Sequence, residues 1–217
     1  MIEASNICVK FGNRDILKDI NLVINKGDFL SIIGPSGAGK STLLNVISSI
    51  ENNYSGTVKF NGKNICDFND SEISKLRNLH IGFVFQDFNL LEDFTVIENI
   101  MLPARLTNMN EAELTKKAMN LMREFKINLL KNKYPNELSG GEKQRVAISR
   151  AMINKPEIIF ADEPTGNLDT KMTNEISKIF SNLNKDGQTI VIVTHNKELS
   201  LKARKIIKIK DGKIIES

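Results

Sequence analysis

Hydrophobic and polar positions along the chain fall into three rhythms. "INLVI" (20–24) alternates apolar and polar residues, as a half-buried strand does. "TVKFNGKNI" (57–65) carries Asn61-Gly62, a two-residue hairpin signal, and "KIIKIKDGKIIE" near the other end repeats the device with Asp211-Gly212. In the middle the period changes. Leu114, Ala118, Leu121, Met122 and Phe125 recur at helical spacing, behind Asn110 as cap with Glu113 three residues on. The stretch from about Thr95 to Pro135 is therefore expected to form a helical lobe. The third rhythm is a set of short runs apolar on both faces: "FLSII" (29–33), "IGFVF" (81–85), "IIFA" (158–161) and "IVIV" (190–193). Such strands, alternating with helices, predict an α/β fold whose parallel sheet is covered on both sides.

Composition narrows the class. At 217 residues the chain fits one domain, or one domain with a lobe. Hydrophobic residues at 41% and charged residues at 26% are those of a globular protein. "MIEASNICVKFG" lacks the basic start and apolar core of a signal peptide, and no apolar run approaches the ~18 residues of a membrane span. A cytoplasmic location is expected. Cys8 and Cys66 offer neither a disulfide framework nor metal-ligand spacing; they read as small buried residues in a reducing compartment. The net charge of +4 is mild, and the basic "KARKIIKIKDGK" lacks interleaved aromatic residues. It reads as a solvated hairpin, and no nucleic-acid partner is expected.

In parallel sheets, ligands bind beyond the carboxyl ends of the strands, so the residue after each strand matters most. After "FLSII" comes "GPSGAGKST" (34–42), a GxxxxGK[ST] pattern with a strand before it and a helix after it, Leu43, Leu44, Ile47 and Ile50 forming one face of that helix. Gly37 and Gly39 let the backbone wrap phosphates, Lys40 reaches the terminal phosphates, and Ser41 offers a hydroxyl to Mg²⁺. A chance glycine turn beside Lys-Ser competes poorly with that context. After "IGFVF" comes Gln86, which can hold a metal or a water; alone it would read as a surface turn residue. After "IIFA" come Asp162, placed to hold Mg²⁺, and Glu163, placed to orient or deprotonate an attacking water. In isolation that pair would read as helix capping before Pro164. After "IVIVT" comes His195, within reach of a terminal phosphate, although a lone histidine is more often structural. The joint placement of these groups at one sheet edge carries the reading. His80 precedes a strand, lies at the opposite edge and is expected to be structural. A second anion loop is "LSGGEKQR" (138–145), where Ser139, Gly140 and Gly141 open a helix.

With these motifs in this order, the chain resembles the ATP-binding subunits of ABC transporters along essentially its whole length. "GPSGAGKST", Gln86 in "FVFQD", "LSGGEKQR", "IIFADEP", "GNLD" (166–169) and His195 carry the resemblance, and "LSGGEKQR" is the most specific of them. The resemblance implies a P-loop NTPase (RecA-like) core, an N-terminal antiparallel β lobe and an inserted α-helical lobe. It implies one domain over 1–217, with 1–94 and 138–217 as core and β lobe and about 95–137 as helical lobe. Gly34, Pro35, Ser36, Gly37, Ala38, Gly39, Lys40, Ser41 and Thr42 would hold ATP. Ser41, Gln86 and Asp162 would hold Mg²⁺, and Glu163, Gln86 and His195 would serve catalysis. Ser139, Gly140 and Gly141 would cap the terminal phosphate of ATP held by another copy in a head-to-tail homodimer. The sequence departs from the family pattern at Phe11, where the family has a tyrosine stacked on adenine. The ring face is kept, so either stacking survives or Phe11 is an ordinary core residue.

"FVFQDFNLLEDFTVIENIMLP" and "EPTGNLD" resemble the branch containing lipoprotein-release and macrolide- or peptide-export ATPases, with a cell-division ATPase as near relative. The implied partner is an integral-membrane permease subunit, whose short cytoplasmic helix the loop after Gln86 would receive, with this chain peripheral on the cytoplasmic face of the membrane. Of its Phe88, Leu90, Leu91 and Phe94, two are expected to fill the core. The rival reading is a soluble ABC-type ATPase in cell division, chromosome or repair work. Chromosome and repair members insert a very long coiled coil between the two loops, and here that gap shows no sustained heptads.

Overall fold

The structure is a computed structural model describing residues 1–216. Its strands are β1 (Ile2–Phe11), β2 (Arg14–Ile24), β3 (Phe29–Ile33), β4 (Ser55–Phe60), β5 (Lys63–Asn64), β6 (Ile81–Val84), β7 (Ile158–Asp162), β8 (Thr189–Val193), β9 (Lys205–Lys210) and β10 (Lys213–Glu216). Its α-helices are α1 (Lys40–Ile47), α2 (Asp70–His80), α3 (Val96–Met101), α4 (Glu111–Glu124), α5 (Gly140–Met152), α6 (Thr170–Lys185) and α7 (Lys197–Ser200). Both predicted hairpins form. Asn61 and Gly62, at φ 48° and 81°, join β4 to β5, and Asp211 and Gly212, at 49° and 78°, join β9 to β10. Two consecutive positive φ values give the turn whose twist matches that of the strands.

The strands form an antiparallel sheet ordered β2-β1-β4-β5 and a second sheet ordered β10-β9-β3-β8-β7-β6. In the second, β9, β3, β8, β7 and β6 run parallel. The carboxyl ends of β3, β8, β7 and β6 therefore share one edge. Period-two alternation divides the core. Phe160, Val191 and Val193 pack with Leu43, Leu44 and Ile47 of α1 and with Ile20, Leu22 and Ile24 of β2. Ile159, Ala161, Ile190 and Ile192 face the other way, onto Val146, Ile176 and Phe180. Ile100, Leu114, Ala118 and Met122 of the helical segment join this second core, so α3 and α4 are anchored to the sheet through α5. Asn110 caps α4 as expected, its Oδ1 accepting from Glu113 N at 2.9 Å. Among the described residues, no helix is long and apolar enough to cross a membrane.

Two expectations need correction. Neither cysteine is buried: Cys8 is half-buried and Cys66 exposed. Cys8 sits at an irregularity in β1, where its Sγ accepts from Asp19 N, and Cys66 lies on a surface 3₁₀ turn with its Sγ 3.6 Å from Tyr54 Oη. Ile50 does not continue the buried face of α1. The helix stops at Ile47, Ser49 turns the chain at φ 60°, and Ile50 is left 40% exposed. His80 sits at the opposite sheet edge, its Nδ1 2.6 Å from Glu157 Oε1.

Candidate active site

The phosphate loop leaves β3 through Gly34, where the chain passes so close to β9 that any Cβ would strike the Ile209 carbonyl. It enters α1 through Gly39, at φ 100°, where a Cβ would lie 2.9 Å from the Ile16 carbonyl oxygen. Only glycine meets both demands. Gly39 caps α1 without a side chain, and the first turn holds no acidic residue, so the positive end of the helix is open to an anion. Lys40 Nζ donates to the Pro35 carbonyl at 2.9 Å across the loop. The loop forms one wall of a cleft of about 360 Å³, lined by Phe11, Arg14, Ile16, Ser36, Gly37, Gly39, Lys40, Ser41, Thr42, Gln86 and Glu163. Phe11 is half exposed at its rim, which excludes the core-phenylalanine alternative and leaves its ring face available for stacking.

The neighbouring strand ends converge on this cleft. Ser41 Oγ donates to Asp162 Oδ1 at 3.1 Å. Burial raises the Asp162 pKa, the nearby charge of Glu163 adds to the rise, and the Ser41 hydrogen bond opposes it. Glu163 stands at φ 44°, held there by its N–H donating to Val193 O and its carbonyl accepting from Gly166 N. Both of its carboxylate oxygens meet His195: the backbone N–H donates to Oε2 at 3.2 Å, and Nδ1 lies 2.8 Å from Oε1. Gln86 reaches the cleft from the end of β6, with its carbonyl accepting from Asn167 Nδ2. Among the described residues, no group of three or more His, Cys, Asp or Glu side chains forms a metal cage. The Ser41–Asp162 oxygen pair suits a small hard cation that completes its coordination with water and phosphate.

The second loop is built differently. Ser139 caps α5 within a reciprocal capping box: its Oγ accepts from Glu142 N at 3.4 Å, and the Glu142 carboxylate accepts from Ser139 N at 2.8 Å and from Ser139 Oγ at 2.7 Å. These hydrogen bonds hold the Glu142 carboxyl below its usual pKa. Gly141 has no room for a Cβ against the Met172 sulfur, and Gly140 packs on Leu168. Within one chain, then, Phe11, the 34–42 loop, Gln86, Asp162, Glu163 and His195 come together, while Ser139, Gly140 and Gly141 lie outside their cleft on the 168–172 segment.

A sequence-family model described as ABC transporter matches residues 17–166. The chain belongs to the ABC transporter family. A lipoprotein-releasing system ATP-binding protein LolD from Cytophaga hutchinsonii is 45% identical, with 99% of each chain covered. A macrolide export ATP-binding/permease protein MacB from Campylobacter jejuni is 43% identical over 99% of this chain but 34% of that longer protein. The ATP-binding cassette MJ0796, solved as a post-hydrolysis dimer bound to ADP and Pi, superposes with a TM-score of 0.92 at 40% identity, covering 100% of this chain and 97% of that one. The fold is that of an ABC cassette, and the chain is an ATP-binding, ATP-hydrolysing ABC subunit. Sequence reasoning on this ABC ATPase passed over Arg14, Ile16 and Asn167. Asn167 stood inside the quoted "GNLD"; Arg14 and Ile16 carried no signal beyond their nearness to Phe11.

Proposed function

We propose that this subunit hydrolyses Mg-ATP as a head-to-tail homodimer on the cytoplasmic face of the membrane, and so powers an integral-membrane permease. The cargo class supported by the relatives' names is a lipoprotein, peptide or drug-like molecule moved by export or extraction. The observation that carries the chemistry is the Glu163 carboxylate, fixed by His195 beside the phosphate loop. In this reading the 34–42 loop and Lys40 bind and orient the nucleotide phosphates, and Phe11 stacks on the base. Mg²⁺, held by Ser41, Asp162 and Gln86, would supply neutralisation of phosphate charge. Glu163 orients the attacking water and accepts its proton. His195 donates Nδ1–H to the carboxylate and holds that group in place, and with its second ring nitrogen also protonated it donates Nε2–H to the terminal phosphate. Glu163→Gln is expected to lower kcat by roughly 10²–10⁴-fold while ATP binding persists, so that an ATP-bound dimer accumulates on gel filtration. Near-normal turnover would remove Glu163 from this role.

The permease reading draws support from the loop after Gln86. Leu91 is 43% exposed and Phe88 half-buried, and a cleft of about 230 Å³ lined by Phe83, Phe85, Asn89, Pro103 and Arg150 opens beside this loop. Leu91→Asp is expected to leave folding and ATP binding intact but to weaken co-purification with the membrane subunit, since an unpaired charge must then be desolvated. Normal co-purification would put docking elsewhere.

A further inference from the structure

The loop from Gln86 to Thr95 contains no helix or strand, yet three side chains from three other segments hold it. Asn167 donates to Gln86 O and to Asp87 Oδ1 at 3.3 and 3.1 Å. Asn99 of α3, fully buried, accepts from Leu91 N and donates to the carbonyls of Leu91, Phe94 and Thr95. The third is Arg150, in the last turn of α5. Its Nη2 donates to Phe88 O at 2.7 Å and its Nη1 to Asn89 O at 2.5 Å.

This third contact is singular in two ways. Phe88 and Asn89 are adjacent non-glycine residues, both in the left-handed region at φ 62° and 47°. Such a pair needs outside support, and a planar guanidinium presents two N–H groups in a rigid fork to neighbouring carbonyls, a geometry that the freely rotating ammonium of a lysine does not fix. Burial lowers the Arg150 pKa to about 10, which still leaves it charged at neutral pH. The helix that carries Arg150 begins at the Ser139 cap, eleven residues earlier, a rigid separation of roughly 16 Å along the axis. One helix thus bears the second anion loop at one end and grips the loop of Gln86 at the other.

We infer that Arg150 is a positioning residue for the hydrolysis reaction: through Phe88 and Asn89 it fixes the backbone that aims Gln86 into the nucleotide cleft, and it ties that aim to the placement of α5. This rests on the reading of Gln86 as a member of the nucleotide site. Arg150 touches no nucleotide; it acts on turnover through Gln86 and not on ATP affinity.

The test is steady-state ATPase kinetics of the full chain with Mg-ATP for Arg150→Met, Arg150→Lys, Gln86→Ala, Gln86→Ala/Arg150→Met and Asn89→Gly/Arg150→Met. Both single Arg150 variants are expected to lose about tenfold or more in kcat, with KM for ATP little changed, as a misplaced group does. The double variant with Gln86→Ala should be no slower than Gln86→Ala alone, because both changes remove one function. Asn89→Gly should restore part of the lost turnover in Arg150→Met, since glycine takes positive φ without support. Losses that multiply in the Gln86 double variant would overturn the proposal, as would wild-type kcat in Arg150→Met or no rescue by Asn89→Gly. Circular dichroism showing both Arg150→Met and Arg150→Lys unfolded would assign Arg150 to stability and overturn it too. A fully active Gln86→Ala would instead remove Gln86 from the site, a failure distinguishable by the single variant.

Discussion

Two helices of this subunit begin with small residues at their amino ends, and these ends are finished in opposite ways. At α1 the cap is Gly39, no side chain caps the helix, and its first residue is the cation of Lys40. At α5 the cap is Ser139, and Glu142 closes a reciprocal box over its hydroxyl and its N–H. The first end is bare and can take phosphate as it stands. The second is satisfied within its own chain, so an incoming phosphate must compete with a carboxylate already seated there. The difference teaches that a glycine-rich helix start is not one kind of site. A bare end binds on its own; a self-capped end engages only when something else brings the ligand, and in the proposed dimer that is the nucleotide carried by a second copy.

The largest effect should come from the bare end. Lys40→Ala is expected to weaken ATP binding to the isolated chain by roughly 10–100-fold, the worth of a charge-assisted contact, measured by titration calorimetry. At the capped end, Ser139→Leu should leave that binding nearly unchanged while lowering turnover by about tenfold or more, as loss of a transition-state contact does. If Ser139→Leu weakens ATP binding in the monomer as much as Lys40→Ala, the contrast between the two ends collapses. Ser139→Ala should in addition cost about 0.5–2 kcal/mol of stability for the lost cap, read as a shift in thermal unfolding.

The smallest effect concerns Glu142. Its carboxyl has a lowered pKa in the fold because Ser139 donates to it. Its contribution to stability is therefore present above the ordinary glutamate value and lost as pH falls through the lowered value of the folded state. Glu142→Gln keeps the geometry of the box and should flatten this acid-side slope of the unfolding temperature. An unchanged slope would mean that the box does not hold in solution.

What sequence made legible follows from the range over which each feature acts. Hairpin turns at Asn61-Gly62 and Asp211-Gly212, the phosphate loop and the cap at Asn110 are local, and each lies in a few consecutive residues. The four strand ends became one site through a single step, the rule that parallel strands share an edge. Contacts between distant segments stayed hidden. Arg150 reads as one more charge on a helix face, and only the fold brings it 61 residues back onto Asn89. Ile50 departs from its helical pattern because Ser49 breaks the helix, and Cys66 is exposed because its surroundings form a surface turn. The capping box over Ser139 was written in the chain as a serine with a glutamate three residues on. The family motif occupies the same residues and points to phosphate, which masks the plainer cap.

The central claim is that the bare end of α1 and the capped end of α5 form one site across two copies. It is tested most directly by cysteine crosslinking in a Glu163→Gln chain with Cys8 and Cys66 replaced by serine. One population carries a cysteine at Ser139 and the other a cysteine at Ser36, and the two are mixed with a short bifunctional reagent. The account predicts a covalent dimer that forms with Mg-ATP and not without nucleotide. Absence of that dimer with Mg-ATP, together with a crosslink formed within a single chain bearing both cysteines, would contradict it.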